Sequence, residues 1–130
     1  MQDLFKALKV SSSGMAVQGE RIRLVSENVA NADTPGYRRK QVSFQEIVDR
    51  ANGVARVGID EISLDQTQLR EEFNPSHPMA NEQGIVEMSN VNMVSEIADA
   101  REANRSYQAN LTIFDQARRM YSGVLDILKR

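Results

Sequence analysis

The sequence predicts a mainly α fold in which N- and C-terminal helices pair as an antiparallel-type coiled coil, with a small irregular or β-hairpin segment between them. Three observations carry this. Near the start, Leu8, Met15, Ile22 and Val29 recur every seven residues. Near the end, Ile97, Asn104, Leu111, Arg118 and Leu125 do the same, with Ala100, Tyr107, Phe114, Tyr121 and Leu128 three residues further on. A seven-residue spacing keeps side chains on one helical face. Thirdly, aromatic residues make up only 5% of the 130-residue chain and Trp is absent, so burial must come from Leu, Ile, Val, Met and Ala, which suit helix packing. The terminal segments, 1–34 and 91–130, form one expected unit and 35–90 another.

The first helix is expected from about Asp3 to Val29 or Ala30, a stretch that contains no proline. Ser11-Ser12-Ser13-Gly14 is its weak point, because serine competes for backbone hydrogen bonds and glycine costs ~1 kcal/mol relative to alanine inside a helix. Small residues there also offer a notch for a neighbouring backbone; the alternative is a loop with the helix starting near Ser13. The helix ends at Asn31-Ala32-Asp33-Thr34-Pro35-Gly36-Tyr37. Pro35 disfavours helical geometry at Thr34, and Pro-Gly suits the centre of a type II turn. Beyond it, residues 37–44 alternate as a polar, strand-like segment. Its Arg38-Arg39-Lys40 triplet is followed by Glu46 and Asp49, which reads as a solvated face or an inter-subunit ion-pair donor rather than a nucleic-acid site.

Residues 51–90 hold seven acids against two arginines and predict irregular structure with short strands. Val54 to Ile62 alternates like a hairpin strand, and a segment near Gln68 to Phe73 is its expected partner. Asn74-Pro75-Ser76-His77-Pro78 breaks regular structure because two prolines remove backbone donors. His77 is the only histidine; without cysteine or a ligand pair nearby it reads as a loop residue rather than a metal ligand or base. The second helix is expected to start after Ser89-Asn90-Val91-Asn92, all but Val91 suitable N-caps, and to continue to about Leu128.

This second helix carries more apolar surface than one partner can bury. A further row, Ile113, Met120 and Ile127 with Val124, lies beside the two heptads, so additional neighbours are expected from other subunits. The expected assembly surface is Leu8, Met15, Ile22, Val25 and Val29 on the first helix. On the second it is Ile97, Tyr107, Leu111, Ile113, Phe114, Met120, Tyr121, Val124, Leu125, Ile127 and Leu128.

Composition excludes several function classes. A net charge of −2 lacks the basic excess that neutralises phosphates, so no nucleic-acid partner is expected. With no cysteine there is neither a disulfide framework nor a Cys-based zinc site. One histidine and no glycine-rich phosphate loop leave little from which to build an active site, so neither enzyme activity, a small-molecule substrate nor a cofactor is expected. No run approaches the ~18 apolar residues of a membrane span, and the first residues lack the pattern of a secretory signal. The chain is therefore expected to leave the cytoplasm, if at all, by another route.

Asn28-Val29-Ala30-Asn31-Ala32-Asp33-Thr34-Pro35-Gly36-Tyr37 resembles the N-terminal signature of the bacterial flagellar axial proteins. Met88-Ser89-Asn90-Val91-Asn92-Met93-Val94, Arg105-Ser106-Tyr107-Gln108-Ala109-Asn110 and the Asn74-to-Val86 loop resemble the proximal rod branch of the FlgC type. The signature positions are thus Asn28, Asn31, Thr34, Pro35, Gly36, Tyr37, Asn90, Asn92, Arg105, Ser106, Tyr107, Ala109 and Asn110. Thr34-Pro35-Gly36 joins the Asn-Ala turn directly to Tyr37, as in other axial proteins, which keeps the sibling proximal rod subunit as an alternative; a free-standing coiled-coil adaptor is another. The resemblance implies a structural subunit of the basal-body rod, the hollow drive shaft that crosses the periplasm and encloses the export channel. It further implies copies of the chain and other rod proteins as partners, and export through the flagellar type III apparatus without a cleaved signal.

Overall fold

A computed structural model describes all of residues 1–130. In chain order it contains α1 (Gln2–Ala30), β1 (Lys40–Asp49), β2 (Val54–Leu64), β3 (Glu71–Phe73), β4 (Ile85–Glu87) and α2 (Met93–Leu128). Two long terminal helices thus bracket a middle of two small antiparallel sheets.

α1 runs unbroken through the serine cluster. The Ser11 hydroxyl donates to the Ala7 carbonyl at 2.6 Å and that of Ser13 to Val10 at 2.7 Å, so these side chains bond back along the helix instead of interrupting it. Gly14 is the notch: a Cβ there would stand 2.7 Å from the Asn110 side-chain nitrogen on α2. After Ala30 the chain makes the expected turn. Gly36 has φ +76°, and the Tyr37 amide donates to the Thr34 carbonyl at 3.2 Å, as a type II turn centred on Pro35-Gly36 requires.

The strand pairing differs from expectation. β2 pairs with β1, from Lys40 opposite Leu64 to Asp49 opposite Val54, and not with the segment near Gln68–Phe73. The cause is local turn chemistry. Asn52-Gly53 supplies a tight reversal, with Gly53 at φ +62°, and the Asp49 carboxylate accepts the Ala51 and Asn52 amides. One bulge lies between Ser43 and Phe44, with Asp60 as the extra residue. β3 pairs instead with β4, and the loop between them is held by Asn81, whose side-chain oxygen accepts the Gln83 and Ile85 amides. His77 sits in that loop, its Nδ1 accepting the Met79 amide at 3.0 Å.

α2 begins where expected: the Asn92 side chain caps it by accepting the Val94 and Ser95 amides at 3.0 and 3.2 Å. Its 36 residues make a rod ~54 Å long. Only 13 of 130 residues are buried, with Val17, Leu24 and Val25 of α1, Val54, Val86, Val91, and Ala103 and Ala117 of α2 as the apolar core. So thin a core leaves much apolar side-chain surface in solvent. Neither helix is long and apolar enough to cross a membrane.

Candidate assembly surface and the polar lock behind it

Four contacts fix how the helices meet. The Phe5 and Tyr121 rings lie 5.2 Å apart, Gly14 faces Asn110, Arg21 pairs with Asp99 and Glu102 at 3.1 and 3.2 Å, and the Asn28 amide donates to Glu96 at 3.3 Å. Residue numbers rise along α1 as they fall along α2, so the two are antiparallel. Three of these contacts fall on the α1 row 14–21–28, and Glu96, Ala103, Asn110 and Ala117 form the row of buried or contacting residues on α2. Both rows differ from the apolar heptads in the sequence. Leu8, Met15 and Ile22 are only half-buried, and Val29 and Ile97 are exposed, whereas Glu96 and Ala103 are fully buried. The physical reason is size: Gly14, Ala103 and Ala117 allow the backbones to approach closely, and the larger Tyr107, Phe114 and Tyr121 flank that line half-buried.

Of the other expected assembly residues, Val25 is buried, and Leu111, Val124 and Leu125 are half-buried. Ile113, Met120, Ile127 and Leu128 are exposed, at 50%, 58%, 73% and 72%. The Ile113–Met120–Ile127 row thus forms a continuous apolar line along α2 that nothing in the chain covers.

At the other end of the helix pair, polar side chains converge. Asn28 is 1% exposed, and all its polar capacity is used: its side-chain oxygen accepts the Tyr37 hydroxyl and the Lys40 amide, each at 2.9 Å. Its side-chain nitrogen donates to the Lys40 carbonyl at 2.9 Å and to Glu96. Glu96 is 0% exposed and also accepts from the Arg39 Nε. Arg39 reaches Asp99 at 2.8 Å and Asp65 at 3.7 Å, and its backbone amide donates to the Asn90 side chain at 2.6 Å. Asn90 in turn donates to the Asp65 and Thr67 carbonyls at 2.9 and 3.0 Å. This lock ties the end of α1, the start of β1, the strand exit at Asp65 and the first turn of α2 into one body. Within the chain the Arg38-Arg39-Lys40 triplet is engaged: Arg38 donates to the Asp65 and Thr67 carbonyls, Arg39 centres the lock and Lys40 pairs with Glu27.

The electrostatics follow from the geometry. Burial, reinforced by the Glu27 charge, raises the Tyr37 phenol above its ordinary range. Burial also disfavours the Arg39 charge, but the Glu96 hydrogen bond and the charges of Glu96, Asp99 and Asp65 outweigh it and raise the pKa. Asp65 is held below the usual carboxylate range by the Thr67 hydroxyl and amide, with Arg39 adding to them, and Glu27 by its hydrogen bond with Lys40.

The signature residues sort by role. Asn28, Tyr37 and Asn90 belong to the lock. Asn31 and Thr34 bond each other in the turn, the Gly36 amide ties it to the Glu87 carbonyl at 3.0 Å, and Asn92 caps α2. Asn110 donates to the Ser106 carbonyl at 3.0 Å beside the Gly14 notch. Arg105 and Ala109 are exposed. Arg39, Glu96 and Asp99 were not among the expected site residues. Their only trace in the sequence is an acid in the first turn of α2, which reads equally well as a partner for the helix dipole.

Two family models match the chain: "Flagella basal body rod protein" over residues 8–38 and "Flagellar basal body rod FlgEFG protein C-terminal" over residues 82–127. Among curated proteins, the flagellar basal-body rod protein FlgC of Agrobacterium fabrum is 45% identical over 99% of this chain and 98% of its own length. FlgC of Salmonella typhimurium is 35% identical over 90% of this chain and 92% of its own, and FlgC of Borreliella burgdorferi 31% identical over 97% and 98%. With its turn and capped second helix carried by the matched segments and relatives of up to 45% identity along nearly its whole length, the chain belongs to the FlgC family of flagellar basal-body rod proteins.

Proposed function

We propose that this chain is a structural, non-enzymatic subunit of the flagellar proximal rod, in which its terminal helices pair as a coiled coil and stack against those of neighbouring rod subunits. The observation that carries the mechanism is the uncovered Ile113–Met120–Ile127 row on α2. An apolar line of this length on a chain with so small a core is a surface for other subunits. Torque is then borne by many such contacts in parallel rather than by a single residue. Copies of the chain and other rod proteins are the partners, and residues 35–90 form an outer unit set on the helical one. The rod lies within the periplasm around a central channel, and the flagellar type III apparatus delivers the subunit there without a cleaved signal peptide.

Deleting the gene should abolish motility and leave basal bodies without a rod, and re-expressing the chain should restore both. Intact rods in the deletion strain refute the reading. Sedimentation separates it from a free-standing coiled-coil adaptor: a rod subunit stays monomeric in isolation, whereas an adaptor forms a stable small oligomer as concentration rises.

A further inference from the structure

The tip of the β1–β2 hairpin carries the only asparagine–glycine pair in the chain, Asn52-Gly53. The pair suits the turn, because Gly53 takes φ +62° with no Cβ to strain it. It also joins the two groups that react when an asparagine loses its amide. Asparagine is thermolabile: the backbone nitrogen of the following residue attacks its side-chain carbonyl carbon, and a glycine there leaves that nitrogen unshielded. Both residues are exposed, so water reaches them. The Gly53 amide, moreover, donates to no acceptor in the chain; the Asp49 carboxylate takes the Ala51 and Asn52 amides but not this one. Its nitrogen can turn towards Asn52 without breaking a hydrogen bond. No other asparagine combines these features. Asn74 precedes Pro75, whose nitrogen has no proton to give up, and Asn28 and Asn90 are held in the lock with β-branched Val29 and Val91 after them.

We propose that Asn52 is a site of spontaneous deamidation with water as the only co-reactant, and that its conversion releases the hairpin tip from α1. The Gly53 nitrogen bonds to the Asn52 Cγ and gives up its proton, closing a succinimide ring. The Cγ–Nδ2 bond breaks, and ammonia leaves with that proton. Water then opens the ring. Attack at the side-chain carbonyl leaves aspartate; attack at the main-chain carbonyl leaves isoaspartate, with an extra methylene in the backbone. Nothing is oxidised or reduced.

Release follows from what holds the turn. Asp49 accepts two backbone amides and, at 2.8 Å, the Asn52 side-chain nitrogen. That last bond is the main reason the Asp49 carboxyl lies below its usual range. Deamidation puts a second carboxylate where this donor stood, so attraction becomes repulsion. Isoaspartate also lengthens the turn and shifts Asp49 against Val54, the last pair of the ladder. Val54 is the one buried residue of the hairpin, and with Ala51 and Asn52 it shares a cleft with Phe5, Lys6 and Lys9 of α1. Losing the turn therefore draws the tip off the helix.

The purified full chain is incubated warm at neutral pH and followed by peptide mass spectrometry. Isoaspartate is read by methyl transfer from S-adenosylmethionine with a purified isoaspartate methyltransferase. The expected result is the mass gain of amide to acid at Asn52 before any other asparagine, with methyl incorporation that Asn52→Gln abolishes, since its longer side chain would need a larger ring. In the modified chain, hydrogen exchange of residues 48–56 should rise several-fold while the amides around Asn28 and Glu96 keep their protection. Asn52→Asp, which adds the charge without the methylene, should show a smaller rise at the same amides. An unmodified Asn52 when other asparagines have reacted overturns the site. Conversion of Asn52 with unchanged exchange at 48–56 overturns the release.

Discussion

Removing Glu96 should unfasten the lock. Its carboxylate is fully buried and accepts from both the Arg39 guanidinium and the Asn28 side chain, so Glu96→Ala leaves a cationic partner 20% exposed and a cavity beside it. Breaking a buried pair by deleting one member costs ~3–5 kcal/mol. Arg39 keeps Asp99 at 2.8 Å and Asp65 at 3.7 Å, which offsets part of that loss and leaves an expected cost of ~2–3 kcal/mol. For 130 residues the unfolding entropy is about 0.27 kcal/mol/K, so the melting temperature should fall by roughly 7–11 °C. Glu96→Gln keeps the volume and an acceptor and should lose about half as much. In the Glu96→Leu/Arg39→Met double variant no buried charge is left behind, so its loss should be smaller than the sum of the two single losses. Urea denaturation followed by far-UV circular dichroism measures the parent, these variants and the Glu96→Leu and Arg39→Met single variants. A Glu96→Ala variant within ~0.5 kcal/mol of the parent, the range of an ordinary surface substitution, would refute the account of the lock.

Three further outcomes are expected. Gly14→Val should destabilise by ~1–3 kcal/mol because its side chain meets Asn110, and Asn110→Ala in the same chain should recover part of the loss; additive effects would exclude the notch. Stability should fall as pH drops into the acid range: Asp65 and Glu27 have depressed folded pKa values, so the unfolded chain binds more protons below their ordinary values of 3.8 and 4.5. Urea midpoints between pH 3 and 7 test this, and Asp65→Asn should flatten the slope. In the dilute monomer, hydrogen exchange should protect amides around Asn28 and Glu96 most and those of residues 1–10 and 120–130 least, because the lock holds one end of the helix pair while the other rests on exposed or half-buried side chains; uniform protection would contradict this.

The sequence by itself determined the elements whose causes are local. Heptad spacing and the lack of proline set both helices, Pro35-Gly36 set the turn between α1 and β1, and Asn92 set the start of α2. Each needs only a few neighbouring residues, so each can be read without a fold. Tertiary structure decided what depends on distance. The helix seam moved off the Leu8–Val29 and Ile97–Leu125 rows onto Gly14, Asn28, Glu96 and Ala103, because closest approach is set by the smallest side chains on both helices together, and a heptad count weighs one helix at a time. The hairpin took β1 as the partner of β2, where Gly53 at positive φ and the Asp49 carboxylate, accepting the Ala51 and Asn52 amides, build the reversal. The role of Arg39 was hidden for the same reason: a basic triplet looks solvated until Glu96, 57 residues away, is folded beneath it and withdrawn from water.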